Sequence, residues 1–107
     1  MKRVMKIEVR KHKGDTYKNI RGEVTKVEWY YTLAIRRFGF WCHLRLFFTG
    51  ATRWTRRADM RRILQDKKIL FSYSPSRYAT WFESENDAIY IKHDIIQNPD
   101  KYIKRQY

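Results

Sequence analysis

Acidic side chains are scarce in this chain: 11 Asp and Glu stand against 24 Lys and Arg, a formal net charge of +13. So strong a basic field calls for an acidic partner, whether nucleic acid, an anionic membrane or an acidic protein surface. Cysteine occurs once, at Cys42, which excludes an internal disulfide and fits a reducing compartment. With only four glycines and two prolines, long disordered linkers are excluded. No apolar run approaches the ~18 residues of a membrane helix. The opening "MKRVMKIEVRKHKGD" has charge but no continuous apolar stretch, so it does not read as a secretory signal. These absences describe a soluble, cytoplasmic protein with no membrane partner.

Aromatic residues are plentiful: four Trp, eight Tyr and six Phe in 107 residues. Their large buried areas suit a small single-domain core spanning 1–107. The charge is unevenly spread. Residues 1–21 carry a net +6 and residues 53–68 a net +5, whereas residues 69–98 carry −2.

Alternation in "VMKIEV", Val4 to Val9, predicts a strand, and the polar "KHKGDTYKNIRG" after it reads as a loop. In "VTKVEWYYTLAI", Val27, Trp29, Tyr31, Leu33 and Ile35 share one face; Glu28, Tyr30, Thr32, Ala34 and Arg36 share the other. A turn at Gly39 leads into "FWCHLRLFFT". There Phe40, Cys42, Leu44, Leu46 and Phe48 face one way, and Trp41, His43, Arg45 and Phe47 the other. "TRRADMRRILQD" predicts a helix with Thr55 as N-cap and Met60, Ile63 and Leu64 as its apolar side. "KILFSY" and "RYATWFE" predict two further strands around Ser74-Pro75-Ser76. Ser84 to Asp87 resembles a capping box and opens a second helix, with Ala88, Ile91 and Ile95 at helical spacing and Asn98-Pro99 at its end. The expected fold is therefore α+β: an antiparallel sheet of about five strands with two helices packed on one face, in the order β-β-β-α-β-β-α.

Two basic elements stand out. "TRRADMRRIL" holds four arginines in ten residues. At about 100° per residue, Arg57 and Arg61 lie beside the apolar stripe and Arg62 lies away from it. A helix face that is merely solvated would mix Glu with Lys. Here the acids are Asp59 and Asp66, and arginine, whose planar fork suits phosphate or carboxylate oxygens, is preferred. Arg53, Arg56, Lys67 and Lys68 add to the field. The second element is N-terminal: Lys2, Arg3, Lys6, Arg10, Lys11, Lys13, Lys18 and Arg21. Of these, Arg10, Lys11 and Lys13 lead into the expected loop, a form suited to following a phosphate backbone. Tyr30, Trp41 and Trp54 are the candidate stacking rings for unpaired bases.

Catalytic and metal signals are poor. Cys42 and His43 are strand neighbours and point to opposite faces; His12 and His93 lie in unrelated contexts. Glu83, Glu85, Asp87 and Asp94 are accounted for by capping and the helix dipole. No catalytic residue, metal ligand or cofactor is assigned.

"YATWFESENDAIYIK", Tyr78 to Lys92, resembles the strand-to-helix junction of an RNA-recognition motif, matched by Phe82, Glu83, Ser84, Asp87 and Ala88. Ala79 stands where that motif has glycine, Thr80 where it has an aromatic, and no strand is expected after the helix. "VMKIEV" also lacks the stacking aromatic of its counterpart, so no RNA-binding residue is carried over. The same unit, F-x-x-x-x-D-A-x-x-x-K, resembles the C-terminal strand and helix of small tailed-phage proteins. That resemblance covers about 15 residues and implies a viral origin, hence a host cytoplasm.

The expectation is a small basic nucleic-acid-binding protein, DNA or RNA, that uses the arginine helix and the N-terminal segment. Its alternative is an interaction protein that docks its basic face on an acidic host protein. A metal-free ribonuclease, which needs only Arg, Lys, Tyr or His around a phosphate, is the minor alternative. The oligomeric state stays open.

Overall fold

A computed structural model describes residues 6–47 and 54–104. Several expectations lie outside the described residues: Lys2, Arg3, Val4 and Met5, then Phe48, and Arg53 of the basic cluster.

The chain runs β1 (Ile7–Lys18), β2 (Val24–Arg37), β3 (Phe40–Phe47), β4 (Trp54–Thr55), α1 (Arg57–Gln65), β5 (Ile69–Ser74), β6 (Trp81–Phe82), α2 (Glu85–Gln97) and β7 (Tyr102–Lys104). Short 3-10 turns at Ser76–Tyr78 and Pro99–Lys101 link the later elements. Among the described residues the fold is α+β with two helices, but the expected five-strand antiparallel sheet is not what forms. Seven strands of the described residues make one curled sheet of mixed direction.

Three causes account for the difference. The polar segment after Val9 is strand, not loop: β1 pairs antiparallel with β2 from Ile7–Ile35 out to Lys18–Val24, with a register shift between Lys13 and Thr16. Backbone pairing along a strong neighbour outweighs the low strand preference of Lys, Gly and Asp. Second, "RYATWFE" contributes only Trp81–Phe82, because Ser76–Tyr78 winds into a 3-10 turn. Third, β4 and β7 are two and three residues long, too short for any period to appear in sequence. Both short strands enter parallel pairs: β4 with β6 (Trp54–Trp81, Thr55–Phe82) and β5 with β7 (Ile69–Tyr102, Leu70–Ile103). Parallel neighbours require a crossover, and here α1 lies within one and α2 within the other.

The sheet forks at β2. One edge is taken along its length by β1; the other is divided, with β3 on Ala34–Arg37 and β6 on Tyr31. Thr80 bridges the fork. Its amide donates to the Leu44 carbonyl at 3.0 Å, and its Oγ1 accepts the Leu46 amide at 2.8 Å. The β2–β3 link turns on Phe38 (φ 48°) and Gly39 (φ 83°). Two consecutive positive φ values mark the type I′ turn favoured by twisted hairpins.

One side of the sheet is core. Ile7, Leu33, Ile35, Leu44, Leu46, Ile69, Phe71, Phe82 and Tyr102 cluster with Met60 and Ile63 of α1 and with Ala88, Ile91 and Ile95 of α2. Helix α1 starts one residue later than Thr55 implied. Thr55 is a buried β4 residue, and the Arg56 amide donates to Asp59 Oδ2 at 3.4 Å. Leu64, expected on the apolar side, is exposed. Helix α2 starts on Ser84, whose Oγ accepts the Asp87 amide at 3.2 Å. Among the described residues no helix is long and apolar enough to cross a membrane. The outer half of the β1–β2 hairpin is solvated and lengthens the molecule to 58 × 32 × 26 Å.

Candidate nucleic-acid interface

The pleat decides which side chains leave the core. In β1, Ile7 is core and Glu8, Arg10 and His12 point the other way; in β2 the outward set is Tyr30, Thr32, Ala34 and Arg36. Register carries the pattern across: Arg36 pairs with Trp41, Ala34 with His43, His43 with Ser74 and Arg45 with Ser72. Lys6 lies opposite Arg36, whose amide donates to the Lys6 carbonyl at 3.1 Å. The face away from the helices, termed the open face, thus presents basic and aromatic side chains, while Thr32, Ala34, His43, Ser72 and Ser74 at its centre are buried beneath them.

Its cations rest on rings. The guanidinium of Arg10 lies 4.9 Å from the Trp41 ring centroid and that of Arg36 5.4 Å from it, while Arg45 lies 5.1 Å from Phe47. Such contacts hold a guanidinium beside the ring and leave its N–H edge able to bond an oxyanion. Arg10 also meets Glu8 at 3.5 Å. Among the described residues no carboxylate pairs with Arg36 or Arg45; the other ion pairs are Lys26–Glu28, Arg56–Glu83 and Lys101–Asp94.

Next to these cations stands a ladder of rings. Tyr30 stacks on His12 (4.9 Å, 13°) and on Trp81 (4.2 Å, 29°). Trp54 meets Trp81 edge-on at 5.0 Å and Tyr30 at 5.9 Å. His12 Nε2 is 2.8 Å from Thr32 Oγ1. Burial, and after it the charge of Arg10, holds the His12 pKa below its ordinary value. His43, only 7% exposed, is lowered by burial, by Arg10 and by His12. Both shifts favour the neutral imidazole, so the positive charge of this face rests on its Lys and Arg side chains.

The structure separates what the sequence grouped. Arg57, Arg61 and Arg62 are exposed on α1, which packs on the core side, so they stand on the opposite layer from the open face. Lys67 and Lys68 follow them into solvent, and Arg56 pairs with Glu83 at 3.8 Å. The N-terminal segment is divided too. Arg10 belongs to the open face, whereas Lys11 and Lys13 have the other parity, and the Lys11 ammonium sits 4.2 Å from the Trp29 ring. Of the candidate stacking rings, Tyr30 is engaged by His12 and Trp81, Trp41 by two guanidinium groups, and Trp54 stands at the end of the ladder. Arg36, Arg45 and Trp81 were not among the expected site residues, and Lys6 was expected only as a member of the basic N-terminal segment. For Arg36 and Arg45 the signal was present: both share strand parity with Tyr30, Trp41 and Phe47. Cys42 and His43 stand on opposite faces, paired with Ile35 and Ala34. Among the described residues, no three His, Cys, Asp or Glu side chains converge on a metal-sized site. Comparison of the chain with known protein families, characterised proteins and solved structures finds no match.

Proposed function

We propose that this chain binds nucleic acid, that the open face of its sheet is the interface, and that single strands are its preferred form. One observation carries the reading. Lys6, Arg10, Arg36 and Arg45 come from three adjacent strands, lie on the side free of helices, and alternate there with Trp41, Phe47 and the Tyr30–Trp81–Trp54 ladder. Phosphates need cations at intervals, and arginine bonds them with two N–H groups. Unpaired bases need apolar, ring-rich ground between those cations. A rigid sheet holds both without the ordering cost of a loop. The arginines of α1 form a second, weaker basic surface in this reading.

The test compares two charge reversals for binding to a labelled single-stranded oligonucleotide of random sequence. Arg36→Glu with Arg45→Glu is expected to weaken binding by about tenfold or more. Arg57→Glu with Arg61→Glu should have a clearly smaller effect, with thermal melting confirming both folds. The reverse ranking would move the interface to α1. No binding by the wild-type chain at low salt would refute the nucleic-acid reading.

A further inference from the structure

Trp54 has a second neighbourhood. Behind the open face, between the projecting hairpin, β4 and the start of α2, lies a cleft of about 620 Å³. Small-molecule sites commonly span ~300–1,000 Å³. Trp29, Tyr31 and Trp54 line it. Trp29 is 43% exposed, an indole presented to solvent on a strand whose core neighbours, Leu33 and Ile35, are wholly covered. Two of its three carboxylates are paired, Glu83 with Arg56 at 3.8 Å and Glu28 with Lys26 at 3.6 Å, and Ser84 and Glu85 at the start of α2 complete the polar lining.

That composition selects a ligand class. A cage for a cation needs rings and uncompensated carboxylates. Here Glu83 and Glu28 each have a cation alongside and Glu85 stands at the positive end of the α2 dipole, so the cleft offers donors and acceptors side by side between aromatic walls. A nucleobase has the complementary form, a π-face with a mixed donor and acceptor edge. Guanine alone among the common bases places two adjacent N–H donors, N1–H and the N2 amino group, next to an acceptor, O6. One carboxylate accepts both donors while a neighbouring guanidinium donates to O6. Phosphate is not the group that enters at the α2 terminus. Glu85 lines that end of the cleft, and Glu85 and Asp87 already complement the helix dipole.

We infer that this cleft is a guanine-reading subsite, with Trp29 and Trp54 as its stacking walls and the Glu83–Arg56 pair as the reader of the base edge. The inference rests on the nucleic-acid reading above. Trp54 links the two, because it ends the ladder of the open face and lines the cleft. A strand held by Arg36 and Arg45 can therefore turn one base around Trp54 into the cleft.

The experiment titrates the full chain with adenosine-tract RNA oligonucleotides that carry guanosine, inosine or adenosine at one central position. Binding is read by anisotropy and by tryptophan quenching. A good two-pronged base contact corresponds to about 5- to 150-fold discrimination. The guanosine oligonucleotide is expected to bind tighter than the adenosine one within that range. Inosine, which lacks the N2 amino group, should fall between them. Glu83→Gln should erase the guanosine preference with the fold intact, since Glu83 is exposed and its pairing is not part of the core. Trp29→Ala should reduce the preference in parallel. Equal binding of all three oligonucleotides overturns the subsite and leaves the open-face interface standing. Discrimination that survives Glu83→Gln overturns the assigned reader. Tetramethylammonium quenching the tryptophans, with no guanosine preference, reassigns the rings to a cation cage and overturns the proposal. Failure of every oligonucleotide to bind overturns the subsite and the interface together.

Discussion

Neutralising Arg36 and Arg45 together should change how salt governs binding, and the size of the change follows from the geometry. Four cations, Lys6, Arg10, Arg36 and Arg45, belong to the open face. If each neutralises one phosphate of a single strand, the logarithmic salt slope is about −2.8, at roughly −0.7 per contact. A fourfold rise in salt, from about 50 to 200 mM, then weakens the wild-type chain about 50-fold. Arg36→Gln with Arg45→Gln removes two contacts, so the slope should fall to about −1.4 and the same salt step should cost about 7-fold. The fold should survive. Arg36 is exposed, and what is lost is its contact with Trp41 at 5.4 Å and that of Arg45 with Phe47 at 5.1 Å. Exposed contacts of this kind are worth about 0.5–1 kcal/mol each. Anisotropy titrations at several salt concentrations give the slopes, and thermal melts check the fold. A slope that the double replacement leaves unchanged would mean that phosphates are held elsewhere. A flat wild-type slope would refute the electrostatic argument itself.

Three further predictions concern stability. Tyr102 donates to Asp94 Oδ2 at 2.6 Å and ties β7 to α2, so Tyr102→Phe should destabilise the fold by about 1.5–3 kcal/mol in urea unfolding, the range for a hydrogen bond to a charged group. Burial pushes the Asp94 carboxyl up, but hydrogen bonds from Tyr102, Lys101 and Asn98 and the Lys101 charge together hold its pKa below the ordinary value. Its contribution is therefore present above the unfolded carboxyl range, near pH 4, and is lost as pH falls further; Asp94→Asn should flatten that acid limb of the stability profile. At the β2–β3 turn, Phe38 holds φ 48° while 83% exposed, so Phe38→Asn should raise stability by about 0.5–1 kcal/mol, read as a higher melting temperature. A lower melting temperature would mean that the ring contributes more than the left-handed backbone costs.

Much of this protein is written in local pattern. The parity of β2 and β3 sorts Leu33, Ile35, Leu44 and Leu46 from Tyr30, Trp41, His43 and Arg45, because successive strand side chains alternate wherever the strand goes. Ser84 and Asn98 mark the ends of α2 for equally local reasons, a side-chain cap at one end and a following proline at the other. The charge excess is likewise a property of composition. Tertiary structure decided the rest. β1 became a strand through Lys18 because β2 offered an edge to pair with, an interaction between residues up to 28 apart in the chain (Ile7 with Ile35) that no short window contains. β4 and β7 exist only as parallel partners of β6 and β5, and two or three residues carry no period of their own. The arginine helix and the basic strands, alike in charge, were sent to opposite layers because Met60 and Ile63 had to reach the core. That burial requirement, not the arginines, chose which basic residues share a face with the aromatic ladder.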